Sequence, residues 1–212
     1  MNASLFDEPA EQAIAPGAVL LRGFALAASA DLQAGVAEVL AQAPLRQMLT
    51  PGGKAMAVWM TNCGPLGWVS DRRGYRYQST DPLSTQPWPA LPPAFARLAT
   101  DAAKQAAYAH FKPDACLINR YLPGTRLSLH QDRDEQDFEH PIVSVSLGLP
   151  AVFLFGGLSR GDKTQRLALQ HGDVLVWGGP ARLRFHGVMP LAAGRHAELG
   201  EQRINLTFRK AA

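Results

Sequence analysis

The feature that most constrains this chain is the punctuation of its C-terminal half. Pro123-Gly124, Pro150, Gly156-Gly157, Gly172-Asp173 and Gly178-Gly179-Pro180 cut the sequence into short segments. Between and beside them lie candidate strands at 115–122, 126–132, 141–149, 151–155, 165–170, 173–177, 182–188 and 202–210. Successive strand side chains face opposite sides, so period-two runs read as strands with two distinct faces. Many short strands at close spacing, bounded by turn residues, argue for a sandwich or jelly roll.

The N-terminal half has a different character. Ser29 is a candidate N-cap, Asp31 sits in the first turn, and Leu32, Val36, Val39 and Leu40 recur at helical spacing until Pro44. A second helix is predicted from Pro93 to His110, with Phe95, Leu98, Ala102 and Ala106 on one face. Between the helices, residues 48–92 mix Pro51-Gly52-Gly53 and Gly64-Pro65 with Trp59, Trp68, Tyr75, Tyr77 and Trp88. That mixture fits a loop-rich strand layer whose aromatics fill the core, and it fits equally a lid whose aromatics meet a ligand. Residues 1–17, with Pro9 and Pro16, are expected to form a loose arm, leaving 18–212 as a single domain.

Composition removes several classes. Hydrophobic residues make up 47% and charged residues 18%, which excludes wholesale disorder. The two cysteines, Cys63 and Cys116, cannot form a disulfide framework or a four-thiolate zinc site, and are expected to be reduced thiols. No apolar stretch approaches membrane-spanning length. The run Ala18 to Ala28 is broken by Arg22 and has no basic segment before it, so no signal peptide is read and a cytoplasmic protein is expected. The net charge of +3 permits a nucleic-acid partner without arguing for one.

Strand alternation exposes the chemistry. In Arg203-Ile204-Asn205-Leu206-Thr207-Phe208-Arg209, one face is Ile204, Leu206 and Phe208; the other carries Arg203, Asn205, Thr207 and Arg209. If the polar face looks inward, two buried guanidiniums require an anion or carboxylates. In 115–122, Asn119 and Tyr121 share a face and offer donors to such an anion. In His130-Gln131-Asp132, the imidazole and the carboxylate point the same way and can hold one metal. Of the six histidines, His186 in the strand before Gly187 is the best third ligand, while His140 and His171 fit loops better. Two histidines and a carboxylate form the facial triad of non-haem Fe(II) oxygenases, with positions left for a 2-oxo acid and dioxygen.

These residues, in this order, resemble the AlkB family of Fe(II)/2-oxoglutarate-dependent nucleic-acid dealkylases. The signature segments are His130-Gln131-Asp132, His186 and the RxNxTxR strand 203–209. Similar wider stretches are MTNCGPLGW at 60–68, PDACLINRYLPG at 113–124, PIVSVSLGLPA at 141–151 and HGDVLVWGG at 171–179, so the likeness runs from about 16 to 210.

The resemblance implies an α+β, mainly β fold: a double-stranded β-helix (jelly roll) core at about 113–212, buttressed by N-terminal helices. A nucleotide-recognition lid would occupy about 48–92. His130, Asp132 and His186 would ligate Fe(II). Arg209 would pair with the distal carboxylate of 2-oxoglutarate and Arg203 with the carboxylate near the metal. Asn119, Tyr121, Asn205 and Ser144 would add hydrogen bonds. Trp68 would stack on a flipped base opposite His130, Tyr75 would contact the nucleotide backbone, Asp134 the exocyclic group and Arg160 the base edge.

The implied reaction uses O2 and 2-oxoglutarate as cosubstrates. It hydroxylates the methyl carbon of N-alkylated bases such as 1-methyladenine and 3-methylcytosine, in DNA (preferably single-stranded) and RNA, and releases formaldehyde. A monomer suits an enzyme that embraces a flexible strand. Lys54 departs from the family pattern and is assigned a phosphate contact. The alternatives are an iron hydroxylase acting on RNA, protein or a small molecule, a non-catalytic nucleic-acid-binding protein, and a non-redox metal enzyme on a cupin-like barrel.

Overall fold

The computed structural model describes residues 9–212. From Ala115 onward the chain alternates between two antiparallel sheets. The first five strands precede this region: β1 (Glu11–Ala15), β2 (Ala18–Leu21), β3 (Trp59–Cys63), β4 (Gly67–Asp71) and β5 (Gly74–Gln78). The core strands are β6 (Ala115–Tyr121), β7 (Leu127–His130), β8 (Ile142–Gly148), β9 (Ala151–Phe155), β10 (Gln165–Leu169), β11 (Val174–Trp177), β12 (His186–Val188) and β13 (Arg203–Arg209).

The larger sheet has the order β1-β2-β11-β8-β13-β6-β3, and the smaller β10-β9-β12-β7. Strands β6, β8, β11 and β13 thus belong to the larger sheet, and β7, β9, β10 and β12 to the smaller. This is the jelly roll, or double-stranded β-helix. The third sheet is the β4–β5 hairpin alone.

Two helices, α1 (Ser29–Gln42) and α2 (Pro93–Gln105), cover the outer side of the larger sheet. α2 starts with Pro93, where a missing backbone N–H costs nothing and the fixed φ suits the first turn. Its Phe95, Leu98 and Ala102 pack with Leu32 and Val39 of α1 against Cys116, Ile118, Val143, Val145, Leu206 and Phe208. Phe95 meets Phe208 edge-on, 5.9 Å between ring centres. Gly35 permits the close approach of α1, because a Cβ there would lie 2.7 Å from the Phe95 ring.

A second core fills the space between the sheets. Leu117, Tyr121, Leu175 and Trp177 of the larger sheet face Phe153, Phe155, Leu167 and Leu169 of the smaller. Strand β13 is therefore buried along its whole length. Ile204, Leu206 and Phe208 point into the helix layer, so the polar face expected for this strand looks between the sheets and not at water.

The structure corrects several expectations. Residues 1–8 of the expected loose arm lie outside the described residues, but 11–15 are not loose. They form β1, which pairs antiparallel with β2 and extends the larger sheet. Ser29 does not cap α1; its hydroxyl instead meets His171 Nε2 at 3.1 Å and accepts from Gln33. The second helix ends at Gln105, short of His110, and Ala107 adopts φ 68°. Of 182–188, only His186–Val188 is strand. The stretch 48–92 is not one lid, since β3 within it is the edge strand of the larger sheet. Trp88 is buried with Ala43 and Val69 and donates to the Gln78 carbonyl, whereas the β4–β5 hairpin carries Trp68 and Tyr75 to a cavity. Trp88 therefore fits the core reading, while Trp68 and Tyr75 stand at a cavity, the position that the lid reading requires.

Candidate active site

A cavity of about 810 Å³ opens between the sheets under the β4–β5 hairpin. Its floor is set by pairing register. His130 of β7 lies directly opposite His186 of β12, which brings the two rings within 4.4 Å, centre to centre. Asp132 follows β7 by two residues. Its Oδ1 lies 3.5 Å from His130 Nε2 and 3.7 Å from His186 Nε2. The three ligand atoms are all within 4.8 Å of one another.

Local backbone groups fix which nitrogen is free. His130 Nδ1 is 2.9 Å from the Ser128 carbonyl, and His186 Nδ1 is 3.0 Å from the Arg184 carbonyl. A carbonyl only accepts, so each Nδ1 carries the proton and each Nε2 presents its lone pair toward Asp132. Asp132 is committed on its other oxygen, where Oδ2 accepts from Arg209 Nε at 2.9 Å and Nη2 at 2.6 Å. Oδ1 is left for a cation.

The electrostatics agree with that division. Burial would raise the Asp132 carboxyl, but the Arg209 charge and both imidazoles hold it well below the usual carboxylate range. Burial, with His130 beside it, brings the His186 imidazole down to about 4, so it is neutral at pH 7. Burial also pulls His130 down, but its bond and charge interaction with Asp132 outweigh this and the net shift is upward.

The two arginines occupy opposite ends of the polar face of β13, and their expected order is reversed. Arg209, assigned by resemblance to the distal carboxylate, touches the triad itself through Asp132. Arg203, assigned to the metal side, lies six positions away, roughly 20 Å along an extended strand. There it pairs in register with Tyr121 and Gly148. Its guanidinium sits 5.1 Å from the Tyr121 ring centre and donates to Ser146 Oγ at 2.9 Å. Its Nε and Nη1 are buried without a hydrogen-bond partner. A buried guanidinium so placed needs an anion.

Asn119, Tyr121, Ser144, Asn205 and Thr207 line the cavity between the two arginines. Asn205 is already engaged: its amide donates to Ser144 Oγ and the Val145 carbonyl, both at 2.8 Å, and its Oδ1 accepts from Thr207.

The opposite wall belongs to the hairpin. Asn62 clamps the Trp68 backbone through both of its amide atoms, at 2.9 and 3.0 Å. The Trp68 ring stacks on Tyr75 with centres 5.5 Å apart, and its Nε1 donates to Asp134 Oδ2 at 2.8 Å. Arg160 donates to the Leu129 carbonyl at 2.6 Å and lies over the Phe185 ring. Trp68, Tyr75, Asp134 and Arg160 all line the same cavity as the triad. Lys54 is exposed on the loop before β3, its backbone N–H held by Thr50 Oγ1.

Sequence reasoning missed three participants: Tyr77, Glu135 and Arg182. Tyr77 donates to Glu135 Oε1 at 2.7 Å, and Glu135 sits between Arg182 and Arg209 at 3.1 and 3.3 Å. The alternation Tyr75-Arg76-Tyr77 carried a signal for the first, since it puts both tyrosines on one face of β5. Burial of Glu135 and Arg182 depends on how distant segments meet and left no local mark.

The comparisons with known proteins agree with this geometry. The family model of the 2OG-Fe(II) oxygenase superfamily matches residues 17–209. The chain is 59% identical over 206 residues to the alpha-ketoglutarate-dependent dioxygenase AlkB of Salmonella typhimurium, covering 97% of this chain and 95% of that one. It is 56% identical over 204 residues to the AlkB dioxygenase of Escherichia coli, covering 96% and 94%. The chain belongs to the AlkB dioxygenases of this superfamily. A solved structure, that of OsALKBH1, superposes with a TM-score of 0.80 at 30% identity over 94% of this chain and all of that one.

The enzyme is thus an Fe(II)- and 2-oxoglutarate-dependent dioxygenase that uses O2. Its own residues fit those groups. Two imidazole lone pairs and one carboxylate oxygen converge on a point, and the partnerless donors of Arg203 await an anion. Among the described residues no helix is long and apolar enough to cross a membrane.

Proposed function

We propose that this dioxygenase oxidatively removes methyl groups from ring nitrogens of alkylated bases such as 1-methyladenine and 3-methylcytosine. Its substrate is DNA, single strands preferred, and RNA. One observation carries the reading: a single cavity joins the His-Asp-His triad to a buried anion pocket on one side and to a stacked aromatic wall with Asp134 and Arg160 on the other.

In this reading His130, Asp132 and His186 hold the iron. Bound there with 2-oxoglutarate and dioxygen, Fe(II) supplies the oxidation of a C–H bond, with succinate and carbon dioxide as coproducts. The chain's own work is binding and orientation. Arg203 takes the cosubstrate carboxylate remote from the triad, with Tyr121 against its guanidinium. Arg209 lies beside the other carboxylate and keeps Asp132 Oδ2 occupied. Asn119 and Ser144 line the wall between them, and Asn205 fixes Ser144.

On the substrate side, Trp68 offers a ring face to a base taken out of the stack. A base methylated on its pairing nitrogen carries a positive charge, which the Asp134 carboxylate at the wall favours. Arg160 addresses the base edge, and the exposed Tyr75 hydroxyl the backbone. Hydroxylation of the methyl gives a hemiaminal whose C–N bond breaks as its hydroxyl loses a proton, releasing formaldehyde, that proton and the neutral base. One chain supplies every part of the site, which fits a monomer, and a cytoplasmic location fits nucleic-acid substrates.

The test is aerobic incubation with Fe(II), 2-oxoglutarate, ascorbate and a single-stranded DNA oligonucleotide containing 1-methyladenine. Mass spectrometry should show loss of the methyl only when 2-oxoglutarate is present. Succinate production with the methyl retained would overturn the DNA assignment and leave RNA, a protein or a small molecule as the substrate.

A further inference from the structure

The hairpin and the triad are linked by a continuous run of buried polar contacts. Tyr77 on β5 donates its hydroxyl to Glu135 Oε1 at 2.7 Å. The same Glu135 oxygen lies 3.3 Å from Arg209 Nε. Arg209 in turn holds Asp132 Oδ2 at 2.6 Å. On its other side Glu135 Oε2 meets Arg182 Nη2 at 3.1 Å, and Arg182 donates to the Asp132 and His140 carbonyls at 2.8 and 3.1 Å. The Glu135 side chain is 2% exposed and that of Arg182 is 3% exposed.

Such an arrangement is costly unless it is complete. A buried carboxylate left without one of its partners is strongly unfavourable, so these groups move as a unit. Two carboxylates, Asp132 and Glu135, balance two guanidiniums, Arg182 and Arg209. The single neutral member is Tyr77, and it alone comes from the hairpin. β4 and β5 pair only with each other, so the hairpin borrows its position from contacts such as this one.

We propose that Glu135 is a positioning residue that couples the seating of the β4–β5 hairpin to the cosubstrate end of the site, with Tyr77 as its handle on the hairpin. Glu135 holds Arg209 against Asp132 from one side and anchors the hairpin from the other. A carboxylate bound beside Arg209 orders Arg209, hence Glu135, hence the acceptor of the Tyr77 hydroxyl. Coupling of this kind is reciprocal, so a substrate strand that seats the hairpin strengthens cosubstrate binding by the same factor. The inference rests on the proposed substrate only in that last step.

The test uses the full-length protein loaded with Mn(II), which permits binding without turnover. Amide hydrogen exchange over residues 67–78 is followed with and without 2-oxoglutarate, in the wild type and in Tyr77→Phe. The cosubstrate is expected to slow exchange of the hairpin at least fivefold in the wild type, the lower end of typical coupling between sites. In Tyr77→Phe, which keeps the ring, the hairpin should exchange faster and respond less than twofold. Glu135→Gln should lose the response as well and also weaken 2-oxoglutarate binding; if that variant does not fold, Tyr77→Phe alone decides. A wild-type hairpin indifferent to 2-oxoglutarate, or a Tyr77→Phe hairpin that responds like the wild type, overturns the proposal.

A second arm measures 2-oxoglutarate affinity with and without the alkylated oligonucleotide. An oligonucleotide that does not bind, beside the expected exchange pattern, would count against the substrate reading and leave the relay standing.

Discussion

The two walls of the cavity are built differently. The cosubstrate wall is a central strand, β13, hydrogen-bonded to β6 and β8 on its two sides and buried along all seven residues. The substrate wall is a two-stranded hairpin whose strands pair only with each other, and Tyr75 on it is 48% exposed. A central strand holds Arg203 and Arg209 to fixed positions, as invariant chemistry requires. An isolated hairpin is marginal in water and adjusts to what binds it. In the proposed reading, catalysis and selection fall to regions that are held differently, one by strand pairing on both sides and one by side-chain contacts, joined at Asp132, Asp134 and Glu135.

The largest expected effect breaks the triad itself. Asp132→Ala removes the only carboxylate of the triad and leaves Arg209 with Glu135 alone as its carboxylate partner. Turnover and stoichiometric metal binding should both be lost, measured by equilibrium dialysis and succinate production. Full activity would remove Asp132 from the ligand set.

The next test separates the two arginines. Arg203→Ala should raise the KM for 2-oxoglutarate by a hundredfold or more, on the order of 3 kcal/mol for a buried charged pair, with metal affinity unchanged. Arg209→Ala should weaken both metal and cosubstrate, because it also holds Asp132. If only Arg209→Ala affected the cosubstrate, the order of the arginines given above would be wrong.

On the hairpin, Trp68→Ala should weaken oligonucleotide binding by roughly 10- to 100-fold, the worth of one stacked base. Binding of 2-oxoglutarate alone should change much less, because Tyr77 still seats the hairpin on Glu135. A smaller effect is set by protons. The His130 pKa lies above 6.5 and that of His186 at about 4, so falling pH protonates His130 first. Mn(II) affinity is therefore expected to fall about tenfold per unit between about pH 6 and pH 5, the loss of one proton site. A hundredfold fall per unit would show that both imidazoles compete. Smallest of all is Lys54→Ala, which should lower the salt dependence of DNA binding by about one phosphate contact. An unchanged salt slope would remove Lys54 from the interface.

The jelly roll was legible because its strands are short, alternating and bounded by glycine and proline. The HxD pair was legible because its two residues lie close in sequence; His186 joins them through the pairing of β12 with β7. What escaped was set by tertiary packing. β1 and β2 carry little alternation of their own; β2 is a strand because β11 offers an edge to pair with, and β1 because β2 then offers the next. Arg182 looked like a strand residue, yet it leaves the sheet to reach Glu135. Alternation put Arg203 and Arg209 on one face but could not say which end of β13 meets Asp132. That follows only from where the segment after β7 runs.

The most direct test of the division between the two walls is the ratio of succinate formed to base repaired. It is measured on one alkylated oligonucleotide with the wild type and with Trp68→Ala. The wild type should form succinate and repaired base in equal amounts. Trp68→Ala should form succinate in clear excess, because the cosubstrate wall still consumes 2-oxoglutarate while the hairpin no longer presents the base. If both products fell together and stayed equal, Trp68 would belong to the oxidative machinery, and the separation of the two walls would be contradicted.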